Sequence, residues 1–305
     1  MIMSSVIGAI GNTPLVELSR IRDELGLDGS LLAKLDYLNP GFSKKDRAAV
    51  EVITSARNTG ELSEGQTVVE LTSGNMGSGL AIVCGVLGHP FVAVMSEGNS
   101  EERVRMMRAL GAEVILVPQK EGSQKGEVSG EDLALVEIEA KRLTDERDAF
   151  RADQFAHWGN PDAHEKGTAP EIWAQSDGAV TAFCDFVGSG GTLAGSAKFF
   201  ESKGVRSYAV EPDNANHPIQ GGGYNMPNLT HLNDIDLAGT VSVSGETARE
   251  HARILAKSEG IFGGYSAGAN LAAAVELLQG KEQGGCVAFV VCDSGLKYLS
   301  TDLWG

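Results

Sequence analysis

Residues 67–77 read Thr67-Val68-Val69-Glu70-Leu71-Thr72-Ser73-Gly74-Asn75-Met76-Gly77, an apolar strand that runs into a turn of small residues. A helical run follows to about Leu87 and stops at Gly88, ahead of Pro90. Such a strand–turn–helix junction exposes several backbone N–H groups toward one point and can hold a carboxylate or another anion. An ordinary capped turn has the same local character, so the junction gains weight only because it recurs. It does so after Val180–Phe186, where Val187-Gly188-Ser189-Gly190-Gly191-Thr192-Leu193-Ala194-Gly195 opens another helix. The glycines and the two small hydroxyls there let backbone close around a phosphate. No Gly-Lys-Ser/Thr follows, so this is not a Walker loop, nor is it a well-formed dinucleotide fingerprint. Cys292-Asp293-Ser294-Gly295 closes the apolar strand Cys286–Val291, the place where open parallel sheets put their ligands.

Outward from these junctions, strand and helix patterns alternate, which predicts parallel sheets covered by helices on both faces. Strands are expected near Leu31–Asp36, Thr67–Thr72, Phe91–Ser96 and Glu113–Pro118, then near 180–187, 206–211, 240–243 and 286–292. Helices are expected near 46–59, 75–87 and 100–110, then near 192–203, 245–259 and 266–279. In the helix at 100–110, Val104, Met107 and Leu110 form a core stripe that Gly111 ends. The polar, glycine-rich stretch 119–130 reads as an exposed loop, and 144–165 as the crossing between two units. A chain of 305 residues exceeds the usual single-core size and suggests two domains.

A lysine at a helix mouth supplies the candidate chemistry. In Gly41-Phe42-Ser43-Lys44-Lys45-Asp46-Arg47, Ser43 is a plausible N-cap with Asp46 three residues on, and an apolar run continues to Thr59 with Gly60 as the stop. Lys45 then sits in the first turn, where the field of the helix terminus disfavours an ammonium. A neutral amine is what forms a Schiff base with an aldehyde. Taken alone, a Lys-Lys pair reads as solvated surface.

Composition excludes some partners. Twenty-five basic against 41 acidic residues leave a net charge of −16, which argues against nucleic acid and anionic membranes. No apolar run reaches the ~18 residues a membrane span needs, so neither a span nor a cationic-plus-apolar leader is expected. Cys84, Cys184, Cys286 and Cys292 lie in apolar stretches without metal-ligand spacing, so buried, reduced thiols, no metal and a cytoplasmic setting are expected.

In order along the chain, these segments resemble the cysteine synthase (O-acetylserine sulfhydrylase) group of fold-type II pyridoxal-phosphate enzymes. The resemblance opens at Ile10-Gly11-Asn12-Thr13-Pro14-Leu15-Val16 and runs through Ser43–Arg47 and Thr72–Gly77. It continues at Gly111-Ala112-Glu113, Gln154-Phe155, Pro170-Glu171-Ile172-Trp173, Gly188–Thr192 and Glu211-Pro212. Asp293-Ser294-Gly295 and Tyr298-Leu299-Ser300-Thr301 complete it. It implies two three-layer α/β domains with mostly parallel central sheets and an active site in the cleft between them. The smaller, mobile domain would span 40–150, and the larger would combine 1–39 with 151–305.

The same resemblance implies pyridoxal 5'-phosphate held by Lys45, which also takes the substrate α proton once released. Asn75 would face the cofactor's 3-hydroxyl and Ser294 its pyridine nitrogen. Gly188, Ser189, Gly190, Gly191 and Thr192 would cradle its phosphate, with Ser189 standing where threonine is usual. Thr72, Ser73 and Gln154 would bind the substrate carboxylate, and Gly264 opens Gly264-Tyr265-Ser266-Ala267-Gly268, a variant of an active-site segment. The implied reaction is β-replacement on a serine-derived amino acid through an aminoacrylate, with O-acetylserine or O-phosphoserine and sulfide as substrates, in a homodimer.

Three departures bear on the substrate. Met76 replaces a usual threonine, the stretch 214–228 is shorter than usual and carries Tyr224, and the loop 119–130 is long. Met76 and Tyr224 are therefore expected to face the substrate and set what is accepted. A β-eliminating lyase, dehydratase or desulfhydrase, or a synthase with another leaving group or an amine or thiol nucleophile, is the alternative. A non-catalytic regulatory homologue fits poorly with the retained Lys45, Asn75, Ser294 and glycine loop.

Overall fold

The computed structural model describes residues 2–72, 74–121, 130–215, 217–223 and 229–305. In chain order the strands are β1 (Leu15–Glu17), β2 (Ser30–Lys34), β3 (Val68–Leu71), β4 (Phe91–Ser96) and β5 (Glu113–Val117). They continue with β6 (Phe150–Arg151), β7 (Ala182–Phe186), β8 (Arg206–Pro212), β9 (Gly239–Val243) and β10 (Cys286–Val290). The first helices are α1 (Ser19–Leu25), α2 (Lys45–Thr59), α3 (Asn75–Leu87), α4 (Glu101–Ala109) and α5 (Gly130–Glu146). Then come α6 (Gly159–Ala163), α7 (Ala169–Gln175), α8 (Gly191–Glu201), α9 (Gly245–Glu259) and α10 (Tyr265–Gln279).

The strands form two sheets, a six-stranded one in the order β1-β2-β10-β7-β8-β9 and a four-stranded one in the order β5-β4-β3-β6. Among the strands of the described residues, β1 runs antiparallel to β2 and the other strand pairings are parallel. Alternate residues feed opposite faces. In the larger sheet Leu31, Ala33, Cys184, Phe186, Val287 and Phe289 join one core with α9 and α10, while Leu32, Phe183, Ala288 and Val290 join another with α7 and α8. In the smaller sheet Val68, Phe91, Ala93 and Met95 face α2, α3 and α4, while Val69, Val92 and Val94 face α5. Each sheet is thus the middle of three layers, a fold-type II α/β architecture.

Sequence periodicity placed α3, α9 and β4 at their bounds and the other expected elements within two residues. It missed β1, α1, α5, β6, α6 and α7. The stretch 144–165, expected to cross between two units, contains the end of α5 at Glu146, β6 in the smaller sheet and the start of α6 at Gly159. Most of the polar stretch 119–130 lies outside the described residues.

The cap of α2 also differs from the capping-box reading. Ser43 Oγ accepts from Lys45 N at 3.3 Å, one position short of the reach a box requires. Asp46 turns away and accepts from Gly41 N at 2.5 Å. The reason is tertiary: Ser43 bridges Asp293, Lys44 N donates to Cys292 O at 2.8 Å, and Ser294 N donates to Phe42 O at 3.1 Å. Extended pairing with the end of β10, rather than a local cap, thus sets where α2 begins.

Candidate active site

Three strand ends converge. β3 leads into Thr72 and α3, β7 into the glycine loop and α8, and β10 into Cys292–Ser294, which pairs with the approach to α2. Lys45 is half-buried as the first residue of α2, and its Nζ donates to Ser189 Oγ at 3.0 Å. Burial, with the neighbouring Lys44 cation, pushes its pKa down to about 8 against the pull of Asp185 and Glu70. Lys45 is therefore an amine with a far larger uncharged fraction near neutral pH than an ordinary lysine, which favours a carbonyl-binding nucleophile.

The glycine loop rests on a buried polar scaffold. Asn160, fully buried on α6, donates from Nδ2 to Ser189 Oγ at 2.9 Å and to Gln154 O at 2.7 Å. A Cβ on Gly191 would collide with the Asn160 amide, and one on Gly188 with Gly221 O, so side chains are excluded where backbone must curl. Thr192 Oγ1 lies 3.2 Å from His164 Nε2, and His164 Nδ1 lies 2.8 Å from Thr168 Oγ1. Burial and the nearby Lys44, Arg47 and Lys45 cations push the pKa of His164 well below its ordinary value, so the ring is neutral. His164–Thr168 forms a π-helical turn, a local distortion that recurs at functional sites.

On the opposite side, Thr72 Oγ1 accepts from Gly74 N at 3.0 Å and Gly77 N at 2.9 Å, so its hydroxyl oxygen caps the start of α3. Asn75 Nδ2 donates to Asp293 Oδ2 at 2.7 Å, and its Oδ1 accepts from Lys297 Nζ at 2.7 Å. Tyr298 Oη donates to the same Asp293 Oδ2 at 2.8 Å. Ser294 is buried, and its Oγ accepts from Leu296 N at 3.3 Å. Gly264 N donates to Asp293 O at 3.0 Å, and a Cβ at Gly264 would meet Asp293 and Tyr298. Gln154 is buried between the walls, its carbonyl held by Asn160 and 3.2 Å from His231 Nε2.

One expectation is overturned. Met76 does not face the cleft: it is 2% exposed and belongs to the core formed with Val52, Leu80, Met95 and Met107. One residue past Asn75 is a rotation of about 100° on a helix, which turns it from the cleft to the core. Ser73 and Tyr224, expected to contact substrate, lie outside the described residues. Sequence reading missed Asn160, His164 and Asp293 as supports; a polar residue that folds into an apolar interior needs a partner, and that requirement was the available signal.

Two features follow that fit a phosphorylated aldehyde: an amine of lowered pKa, and, beside it, a glycine loop opening an 11-residue helix whose first N–H groups have no intrahelical partner. The unpartnered Asn160 Oδ1 beneath Gly191 does not oppose this, since it faces the loop from behind. Fold and site together define a parallel α/β enzyme built around a lysine and a phosphate cradle.

Comparison with known proteins agrees. The family model "Pyridoxal-phosphate dependent enzyme" matches residues 6–293. A cysteine synthase of Staphylococcus aureus is 37% identical over 97% of this chain and 95% of its own length. An O-ureido-L-serine synthase of Streptomyces lavendulae is 36% identical over 99% of this chain and 93% of its own. Among solved structures, the O-acetylserine dependent cystathionine beta-synthase from Helicobacter pylori superposes with a TM-score of 0.91 at 31% identity, covering 100% of both chains. This chain belongs to the pyridoxal-phosphate dependent enzymes and, within them, to the cysteine synthase group.

Proposed function

We propose that the protein catalyses β-replacement on a serine-derived amino acid, with O-acetylserine or O-phosphoserine as donor and sulfide as nucleophile. The observation that carries the reading is the Lys45 amine, lowered to about 8 and hydrogen-bonded at 3.0 Å to the glycine loop. Lys45 would hold pyridoxal 5'-phosphate, with Gly188, Ser189, Gly190, Gly191 and Thr192 receiving its phosphate. When bound, that cofactor supplies an electron sink that lets a β substituent leave.

The remaining steps belong to the chain. Released Lys45 takes the substrate α proton at Nζ, as its lowered pKa allows. Thr72, Ser73 and the N-terminus of α3 bind the substrate carboxylate, with Gln154 closing from the other side. Ser294, a neutral hydroxyl, accompanies the ring, as does Asn75, which must exchange its bond to Asp293 or Lys297 to reach it. The smaller unit, 40–150, moves against the remainder to close the cleft.

The similar proteins are named for different products, which favours a second reading: replacement by a nucleophile other than sulfide. We further propose a homodimer in the cytoplasm. An apolar surface lined by Val6, Pro40, Ile82, Val86 and Leu110 supports the dimer, and four free thiols support the reducing compartment. Incubation of the holoenzyme with O-acetylserine or O-phosphoserine plus sulfide, thiols or amines, analysed by mass spectrometry, tests the reaction. A new β-substituted amino acid supports replacement; keto acid and ammonia alone, whatever nucleophile is added, would establish elimination instead.

A further inference from the structure

Directly behind Lys45 lies a second buried ionic arrangement that the proposed reaction does not use. Lys44 Nζ pairs with Asp185 Oδ2 at 2.5 Å, with both side chains buried. The other carboxylate oxygen, Oδ1, accepts from Asn270 Nδ2 at 3.3 Å and lies 3.7 Å from Cys292 Sγ. Asp185 is on β7, three residues ahead of Gly188, while Lys44 immediately precedes the nucleophile. The pair therefore joins the mouth of α2 to the strand that feeds the phosphate loop.

Burying two charges costs several kcal/mol per ion, and apolar residues of like volume usually replace such a pair without loss of stability. Fold stability is thus a weak reason for its presence. We propose that Lys44 and Asp185 are a positioning pair: Lys44 is a fixed cation that disfavours protonation of the adjacent Lys45 amine, and Asp185 holds that cation in place against the phosphate loop.

The surroundings leave Lys44 as the principal fixed charge able to do this. Toward Lys45 face Asp185 from β7, Cys292 beyond β10, Glu70 from β3, His164 from the π-helical turn and His231. The Cys292 thiol is pushed up to about 12 by burial and the two histidines are pushed down by burial, so all three are neutral near pH 8. Glu70, raised to about 7 by burial, is anionic there and opposes the effect. Lys44, beside Asp185, has its pKa raised in spite of burial and stays charged.

The inference rests on Lys45 being the cofactor lysine. Its test is the pH dependence of the rate at which the full-length, cofactor-free chain captures added pyridoxal 5'-phosphate, followed by absorbance. Only the uncharged amine reacts, so the rate rises with pH through the amine's pKa. Lys44→Met should move that inflection upward by about one pH unit, a tenfold slower capture below it. Lys44→Arg should leave it at the parent value. Because Lys44→Met strands a buried carboxylate, the double variant Lys44→Met/Asp185→Leu is the folded control; it also loses the opposing pull of Asp185, so it should keep the parent melting temperature and shift upward by less than the single variant. Inflections unmoved in both Met variants, or moved equally by Lys44→Arg, would overturn the pair's role. Lys45→Ala separates the two questions: capture at the parent rate there would overturn the assignment of Lys45 itself.

Discussion

The two walls of the cleft are built differently. The phosphate-side wall, 188–195, is neutral and closely backed. Ser189 and Thr192 are tied to Asn160 and His164, and Cβ atoms on Gly191 and Gly195 would run into the Asn160 amide and Pro161 O. The amino-acid-side wall, described at 72 and 74–77, is looser and backed by an ionisable group. Gly74, at φ 134°, lies nearest the side-chain stem of Arg103, the Thr72 hydroxyl bonds within its own loop, and Glu70 lies buried beneath. A wall that grips a permanent phosphate gains from preorganisation, whereas one that receives and releases substrate each turnover must adjust.

That contrast is most exposed to Gly195→Ala, whose Cβ would strike Pro161 O and crowd Glu165 N at 2.9 Å. Backbone on both sides leaves nothing to yield, so loss of folded holoenzyme is expected, measured as soluble yield and cofactor absorbance. Gly74→Ala meets side-chain atoms, the stem of the buried Arg103, together with a positive φ. It should cost ~1–3 kcal/mol and raise KM for the amino acid while cofactor content holds. Equal cofactor loss in both variants would erase the distinction between the walls.

Met76 sharpens the same comparison from behind the looser wall. Met76→Ala should lower stability by about 2–5 kcal/mol in denaturant unfolding, because it empties a filled core site. The preference among amino-acid donors should stay as in the parent. A changed preference at unchanged stability would return Met76 to the pocket.

Rising pH should act on the looser wall, whereas His164 behind the phosphate side responds only to falling pH. Burial raises the Glu70 carboxyl to about 7, above its unfolded value of 4.5. Its contribution to stability is therefore fully present below about pH 4.5 and is lost as pH rises through 7. Glu70→Gln should raise stability at about pH 8 by roughly 1–3 kcal/mol, seen as a higher melting temperature, and give no gain near pH 4. A gain of the same size at both pH values would point to packing instead of charge. The smallest effect is expected for Ser294→Ala, about 1 kcal/mol in cofactor affinity for one hydrogen bond, read by equilibrium titration with pyridoxal phosphate.

What the sequence disclosed follows the range of the forces involved. Helices such as α3 and α9 were bounded correctly because glycine stops and apolar spacing are local. β6 has two residues, too few to show alternation, and it exists only because Phe150 and Arg151 pair with Val68 and Val69. The supports of the site escaped for the same reason: Asn160 lies 29 residues from Ser189 and Lys44 lies 141 from Asp185. Asp185 did leave a trace, a charge inside the apolar run Phe183-Cys184-Asp185-Phe186, which demands a buried partner without naming it. Met76 was misread because family position suggested a pocket, while helix geometry one residue past Asn75 turns it inward.

The central claim is that Lys45, and neither Lys44 nor Lys297, carries the cofactor, although all three are enclosed around the same cleft. Borohydride reduction of the holoenzyme, followed by peptide mapping, tests it most directly. The pyridoxyl group is expected on Lys45 alone; its recovery on Lys44 or Lys297 would contradict the account.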